Sequence, residues 1–367
     1  MQARVVAPTE LTSSDVAGWS ACAAASIEPN PFFEPDWLLP ALAHLDESPA
    51  TVLVLAEHDG AVHACVPIAT SAFEEDGVGG GRTHSTLVTR VTPTAIALGT
   101  PLVTADRALD ALTCIMNQIR WMAEECGAGL AVMEWVATDG PTAPLLKEAA
   151  IRTGHPLIEF DRWERGFLRR PPDYEDSYWL RAVGKNRRRT IRQHRRALDA
   201  AFGTTSRLRT RTDTAAIDAF LRLEASGWKG HEPGGRALRR QTGSATFFDE
   251  ACRRYIDKGC LWFVSLECDG GPIAMICCLR AGDGVFAIRT AYDEGLARFG
   301  PGIEVFLGAM EHFDHETDAQ WFDTCSDPDN HHLLGLFPDR RTMATMLFRL
   351  PVHDEPRQSP TGWVTAR

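Results

Sequence analysis

VLVLAEHDGAVHACVPI (residues 52–68) and WFVSLECDGGPIAMICC (residues 262–278) are the stretches whose reading decides the fold. Each is an apolar run, an Asp-Gly pair and a second apolar run. Glu57, Asp59 and Gly60 recur as Glu267, Asp269 and Gly270 at an offset of 210. Asp-Gly between alternating apolar runs signals a tight hairpin, because the turn needs residues that tolerate positive φ. Behind each hairpin come a further strand, a helix (107–126; 302–315) and another apolar strand (130–136; 319–325). Two unrelated hairpins would look alike locally, but the repeated order points to duplication. The expected architecture is α/β (α+β), two tandem units, each a mixed central sheet flanked by helices.

A length of 367 residues and an apolar content of 44% suit two domains. Two prolines cannot continue a helix or a central strand, so the boundary is expected at Arg169-Arg170-Pro171-Pro172. That gives domains at 1–168 and 169–350, with an aperiodic tail, 351–367, expected to be mobile. No apolar run reaches the roughly 20 residues that span a bilayer, and the start lacks a signal-peptide pattern. Ten scattered cysteines without a Cys-x-x-Cys pair suit buried thiols, and the expected setting is cytoplasmic. The net charge of −11 is uneven. Seven of the twelve residues from Lys185 to Arg196 are basic, which leaves −18 for the remainder.

Four stretches could carry chemistry. In AYDEGLARFGPG (291–302) a strand runs through a short loop into a helix start at Gly300-Pro301-Gly302, which reads either as an anion site or as ordinary capping. In IDAFLRLEASGWKG (217–230), Glu224 falls on the apolar face of its helix. Such a carboxylate is a candidate general base, or it pairs with an arginine of the basic strip. Trp228 and Lys229 follow on a loop suited to walling a pocket. Alternation places Phe286, Ile288, Thr290 and Tyr292 on one strand face, Arg289 and Asp293 on the other, and Asp323 beside Trp321 and Cys325. GKNRRRTIRQHRRAL (184–198) is a helix with a narrow apolar stripe; its arginines form a solvated face or meet the phosphates of a cofactor or nucleic acid. The cluster at 323–332, with Asp327, Asp329, His331 and His332, lacks the spacing of a calcium loop or helical zinc site, so no metal is expected.

PFFEPDWLLPAL (31–42), the GKNRRRTIRQHRRAL helix, EASGWKG (224–230), ECDGGPIAMICC, RTAYDEGLARFGPG and WFDTCSDPDNHHLLGLFPDRR (321–341) follow the order found in bacterial CelD-like acetyltransferases of the GNAT superfamily. The chain resembles that group over most of its length. The resemblance implies a tandem GNAT fold, related to the FemABX transferases that use aminoacyl-tRNA. It places the active cleft in the second repeat, between strands 285–292 and 319–325. It also makes Arg298, Phe299, Gly300 and Gly302 the counterpart of a loop that binds the pyrophosphate of coenzyme A, one residue short and with Pro301 inserted. The expected activity is acyl transfer from acetyl-CoA to a small-molecule amine. Within it we assign Glu224 or Asp323 as base, Tyr292 as acid and a backbone N–H between Ala291 and Asp293 as carbonyl donor. Trp228, Lys229, Arg289 and Asp293 are the expected substrate contacts. The alternatives are aminoacyl transfer from tRNA held by helix 185–196, and a non-catalytic GNAT-fold binding protein. The first repeat, without a glycine loop before its helix, is expected to bind no cofactor.

Overall fold

The computed structural model describes residues 1–45, 51–74, 83–173, 177–181, 183–227, 230 and 237–349. Along the chain run β1 (Gln2–Val6), α1 (Ser13–Ala24), α2 (Pro35–His44), β2 (Val52–His58), β3 (Ala61–Glu74), β4 (Thr83–Val88), β5 (Leu102–Val103), α3 (Ala108–Cys126), β6 (Leu130–Ala137), α4 (Thr142–Arg152) and β7 (Ile158–Arg169). Then come α5 (Lys185–Phe202), β8 (Arg207–Arg211), α6 (Ala215–Ser226), α7 (Ser244–Asp257), β9 (Leu261–Cys268), β10 (Gly271–Ala281), β11 (Gly284–Tyr292), α8 (Pro301–Glu316), β12 (Trp321–Asp323), α9 (His331–Leu334) and β13 (Asp339–Arg349).

Two compact units emerge: Met1–Leu42 with Asp46–Trp163 and Thr342–Arg367, and Ala43–Leu45 with Glu164–Arg341. In the first, strands lie in the order β1-β2-β3-β4-β6-β13, and in the second β8-β9-β10-β11-β12-β7. In both the first three pairings are antiparallel, the fourth is parallel and the fifth antiparallel. The duplication therefore holds strand by strand.

The expected boundaries shift at two places. The units meet inside β7, between Trp163 and Glu164, rather than at Pro171-Pro172. Residues 342–349, expected in the second domain, complete the first sheet by pairing with β6, Met343 opposite Ala137. The sixth strand of each sheet thus comes from the far end of the other unit's segment. Tail residues 351–367 lie outside the described residues.

The hairpin turns follow the Asp-Gly signal, with a difference. Asp59 (φ 50°) and Gly60 (φ 78°) both sit left-handed, whereas in the second hairpin the positive φ values fall on Gly270 and Gly271. Gly203 ends α5 with φ 67°, as its position after Phe202 suggests. All ten thiols are free, and seven are buried. Burial pushes the Cys22 thiol up to about 12.

The second unit packs α5 and α8 on one sheet face. Val183, Leu198, Val305, Ala309 and Phe313 meet Val264, Ile276, Val285 and Phe322 in one core cluster. On the opposite face Phe220 of α6 stacks on Phe248 of α7 and tilts against Phe263 of β9. Phe322 lies fully buried between the rings of Phe313 and Phe337, 5.9 and 5.8 Å away. Phe322→Ala should cost about 3–5 kcal/mol, read from urea denaturation, because the close-packed rings around it collapse only partly.

Candidate active site

β11 pairs with β10 along its whole length, but with β12 only at Gly284, Val285 and Phe286. β12 ends at Asp323, so beyond Phe286 no strand among the described residues pairs with the β12 side of β11. One of two adjacent parallel strands stops there, and the other runs on with that edge open.

A bulge lies just past the last of these pairs. Cys278 faces Ala287 and Cys277 faces Arg289, which leaves Ile288 as the extra residue on β11. This corrects the simple alternation: Thr290 and Tyr292 oppose Ile276 and Ala274 on the face of α8, while Phe286, across the bulge, lies on the other face with Arg289. The expectation failed because one inserted residue inverts every side chain after it.

Glu224 is 3% exposed, and neither of its oxygens is idle. One accepts from Arg289 Nε at 2.5 Å and the other from the Leu238 N–H at 2.9 Å. The carboxylate thus finds an arginine, but from β11 and not from the basic strip. Asp323, fully buried, accepts from Arg165 Nη2 and Arg341 Nη1, both at 2.7 Å, and from the Cys325 N–H at 2.9 Å. Burial alone would raise its pKa, but the two guanidiniums more than offset that and hold it below the usual carboxylate range. Cys325 next to it takes φ 49°, a left-handed turn that carries the chain away from β11.

The remaining expected residues scatter. Tyr292 is half-buried, and its hydroxyl makes no hydrogen bond among the described residues. Its ring packs against Gly302, where a Cβ would sit 3.3 Å from Cδ1. Asp293 is exposed and caps the short helix Glu294–Phe299 by accepting the Gly295 N–H at 2.9 Å. Phe299 is a core residue, 8% exposed, and Arg298 is exposed with its guanidinium 4.7 Å from the Phe299 ring centre. Trp228 and Lys229 lie outside the described residues, as do the side chains of His331 and His332.

The glycine loop offers little to a pyrophosphate. Gly300, at φ 63°, donates its N–H to Ala297 O at 2.9 Å, and Pro301 has none. Ile303 turns its N–H back to Gly300 O at 3.0 Å. Gly302 alone keeps a free backbone N–H among the first three positions. α5 covers the loop: a Cβ on Gly300 would stand 3.5 Å from His194 Nδ1, and Arg195 donates to Glu304 Oε2 at 3.0 Å and to Ser206 O at 2.6 Å. Burial raises the pKa of Glu304, and Arg195 offsets this only in part. The residues present therefore do not form the multi-donor clamp that the diphosphate of coenzyme A needs.

Sequence reasoning missed Arg165 and Arg341. No local signal marked them: Arg165 directly follows Glu164 and Arg341 directly follows Arg340, so each reads as one more charge at the edge of an apolar run.

Residues 185–331 match the family model "Acetyltransferase (GNAT) domain". The fold resembles FemX (TM-score 0.58, 10% identity, 95% of this chain and 98% of that one). It equally resembles a conserved protein of unknown function from Bacteroides thetaiotaomicron (0.58, 12%, 93% and 98%). A third likeness is to a C-terminal domain assigned to a lysylphosphatidylglycerol synthetase from Agrobacterium fabrum (0.53, 12%, 91% and 92%). At these identities the likeness is one of fold. No curated protein matches the sequence. No helix among the described residues is long and apolar enough to cross a membrane.

Asp323→Asn should destabilise the protein by about 3–5 kcal/mol at neutral pH, because it leaves two buried guanidiniums short of their counter-charge. Because the folded pKa lies below the ordinary 3.8, this stabilisation is present above that value and lost as pH falls through the folded pKa. Urea midpoints at pH 7 and pH 3 should therefore differ less in the variant than in the wild type.

Proposed function

We propose, from the premise that residues 185–331 form an acetyltransferase (GNAT) domain, that the protein is an N-acyltransferase. It moves an acyl group, acetyl in the simplest case, from an acyl thioester such as acetyl-CoA to the amine of a small metabolite, amino sugar or amino acid. The observation that carries this reading is the unpaired side of β11 beyond Phe286. An exposed strand edge takes an extended amide-bearing arm as an added strand. The thioester at the end of such an arm is then held against Tyr292.

The chemistry is direct. The neutral amine attacks the thioester carbonyl, a C–N bond forms and the C–S bond breaks. The attacking nitrogen gives its proton to water, and the leaving thiolate takes one from the Tyr292 hydroxyl, which no other group among the described residues engages. The carbonyl donor is the Tyr292 N–H. Successive N–H groups of a strand point to opposite sides, and that of Asp293 is committed to Ile273 O at 2.8 Å on the β10 side. Glu224 and Asp323, first considered as bases, serve better as positioning residues. Glu224 could accept a proton only by giving up Arg289, and Asp323 only by giving up two arginines. Glu224 instead fixes Arg289, which suits an anionic group on the acceptor.

A second reading, aminoacyl transfer from charged tRNA, draws on the FemX-like fold and the basic helix α5. Its mark would be steeply salt-dependent tRNA binding.

The test is amine-dependent thiol release from acetyl-CoA across an amine panel, with the amide product identified by mass spectrometry. Tyr292→Phe should lower kcat about 10²-fold. Glu224→Gln should raise the acceptor KM and keep the acid limb of the pH profile, whereas loss of that limb would restore Glu224 as the base. Absence of amide from any thioester donor, with transfer from aminoacyl-tRNA, would replace the reading by the second one.

A further inference from the structure

α5 carries Lys185, Arg188, Arg189, Arg192 and Arg196 at spacings of i, i+3, i+4, i+7 and i+11. At 100° per residue they fall within one stripe, about 16 Å long at 1.5 Å per residue. Among the described residues none of the five forms an ion pair or a side-chain hydrogen bond, and all but the half-buried Arg188 are exposed. Several other arginines of the unit are paired, Arg195 with Glu304, Arg209 with Glu267 and Arg253 with Asp249, and those that are not, such as Arg207, Arg222 and Arg240, stand apart and form no row. The stripe is costly where it stands. The pairs 185/189, 188/192 and 192/196 set like charges at i,i+4, and the basic run begins at the positive end of the helix dipole with no acidic residue in the first turn.

The opposite face of α5 is the buried one. Ile191 and Leu198 enter the core, Arg187 lies over Gly335, His194 stands beside Gly300 and Arg195 holds Glu304. The helix therefore lies over the loop that would clamp the diphosphate of coenzyme A, and turns a row of unpaired cations outward.

We propose that the stripe docks a small acidic protein that carries the acyl group as a thioester on a flexible arm, the arm reaching past α5 to the open edge of β11. This rests on the acyl-thioester reading above and names the donor's carrier. It accounts jointly for the missing diphosphate clamp and the unneutralised stripe: the far end of the donor arm is held by protein charge rather than by a nucleotide. A compact acidic protein fits better than a polynucleotide. The rest of the chain carries −18, which repels a partner charged along its whole length but tolerates one whose charge lies on a single face. The outward stripe holds no apolar side chain, so it does not insert into a bilayer.

The test uses a bacterial acyl carrier protein bearing an acetyl group on its phosphopantetheine arm, with acetyl-CoA and a tRNA as comparison ligands. Titration should give saturable carrier binding that weakens with salt and falls roughly tenfold or more in Arg188→Glu/Arg192→Glu, with acetyl-CoA binding unaltered. Arg189→Gln/Arg196→Gln should weaken carrier binding in the same direction while raising the thermal midpoint, since it relieves repulsion without adding a contact. Carrier binding equal in wild type and both variants, or absent, overturns the proposal. tRNA binding that the same substitutions abolish, without carrier binding, replaces it by a nucleic-acid surface. Carrier binding without acyl transfer from either thioester would leave the docking intact and remove the transferase reading. Transfer from acetyl-CoA without carrier binding would do the reverse.

Discussion

The open edge of β11 in the second unit depends on how a three-residue strand is held. β12 shares three pairs with β11 and three with β7, too little backbone bonding to fix its end. Asp323 supplies the remainder. One carboxylate draws Arg165 from β7 and Arg341 from the start of β13 to a single point, and its other oxygen captures the Cys325 N–H to start the turn. A buried ion cluster of this kind adds little net stability over an apolar core, since desolvation cancels much of the attraction. What it provides is direction: only one arrangement satisfies the carboxylate, and in that arrangement the chain leaves β11.

The first unit repeats the parallel pairing, Thr86, Leu87 and Val88 against Leu130, Ala131 and Val132, but there β4 stops at Val88 while β6 runs on to Ala137. Just past its pairing, the Arg90 guanidinium lies 3.9 Å over the Trp135 ring, and Trp163 meets that ring edge-on at 5.6 Å. Trp135 itself sits at φ 57°. In the second unit β11 runs on to Tyr292, whose hydroxyl has no partner among the described residues.

Much of this was legible in the sequence because it is local. The paired hairpins, α5 with its terminal glycine, and α8 behind Gly300-Pro301 all announce themselves through apolar period and turn chemistry within about a dozen residues. The burial of Glu224 followed from its helical phase. What escaped is relational. The bulge at Ile288 exists only against the count of residues on β10, and nothing in FAIRTAYDE marks it. Asp323 looked like a base because its partners lie 158 and 18 residues away. Phe299 looked like part of a phosphate loop because a motif carries no information on which side chain turns inward.

The exchanged sixth strand has a consequence for how the molecule comes into being. Thr138 donates its backbone N–H to Thr342 across 204 residues, so the first sheet stays one strand short until the segment up to Arg349 has left the ribosome. Closing such a span is slow compared with hairpin formation, and the β6 edge stays exposed meanwhile. The second unit, whose segment from Glu164 to Arg341 is made without a break, can assemble first. Its last residues then deliver the strand that the first unit lacks. The unit that is begun first is therefore the one that is closed last.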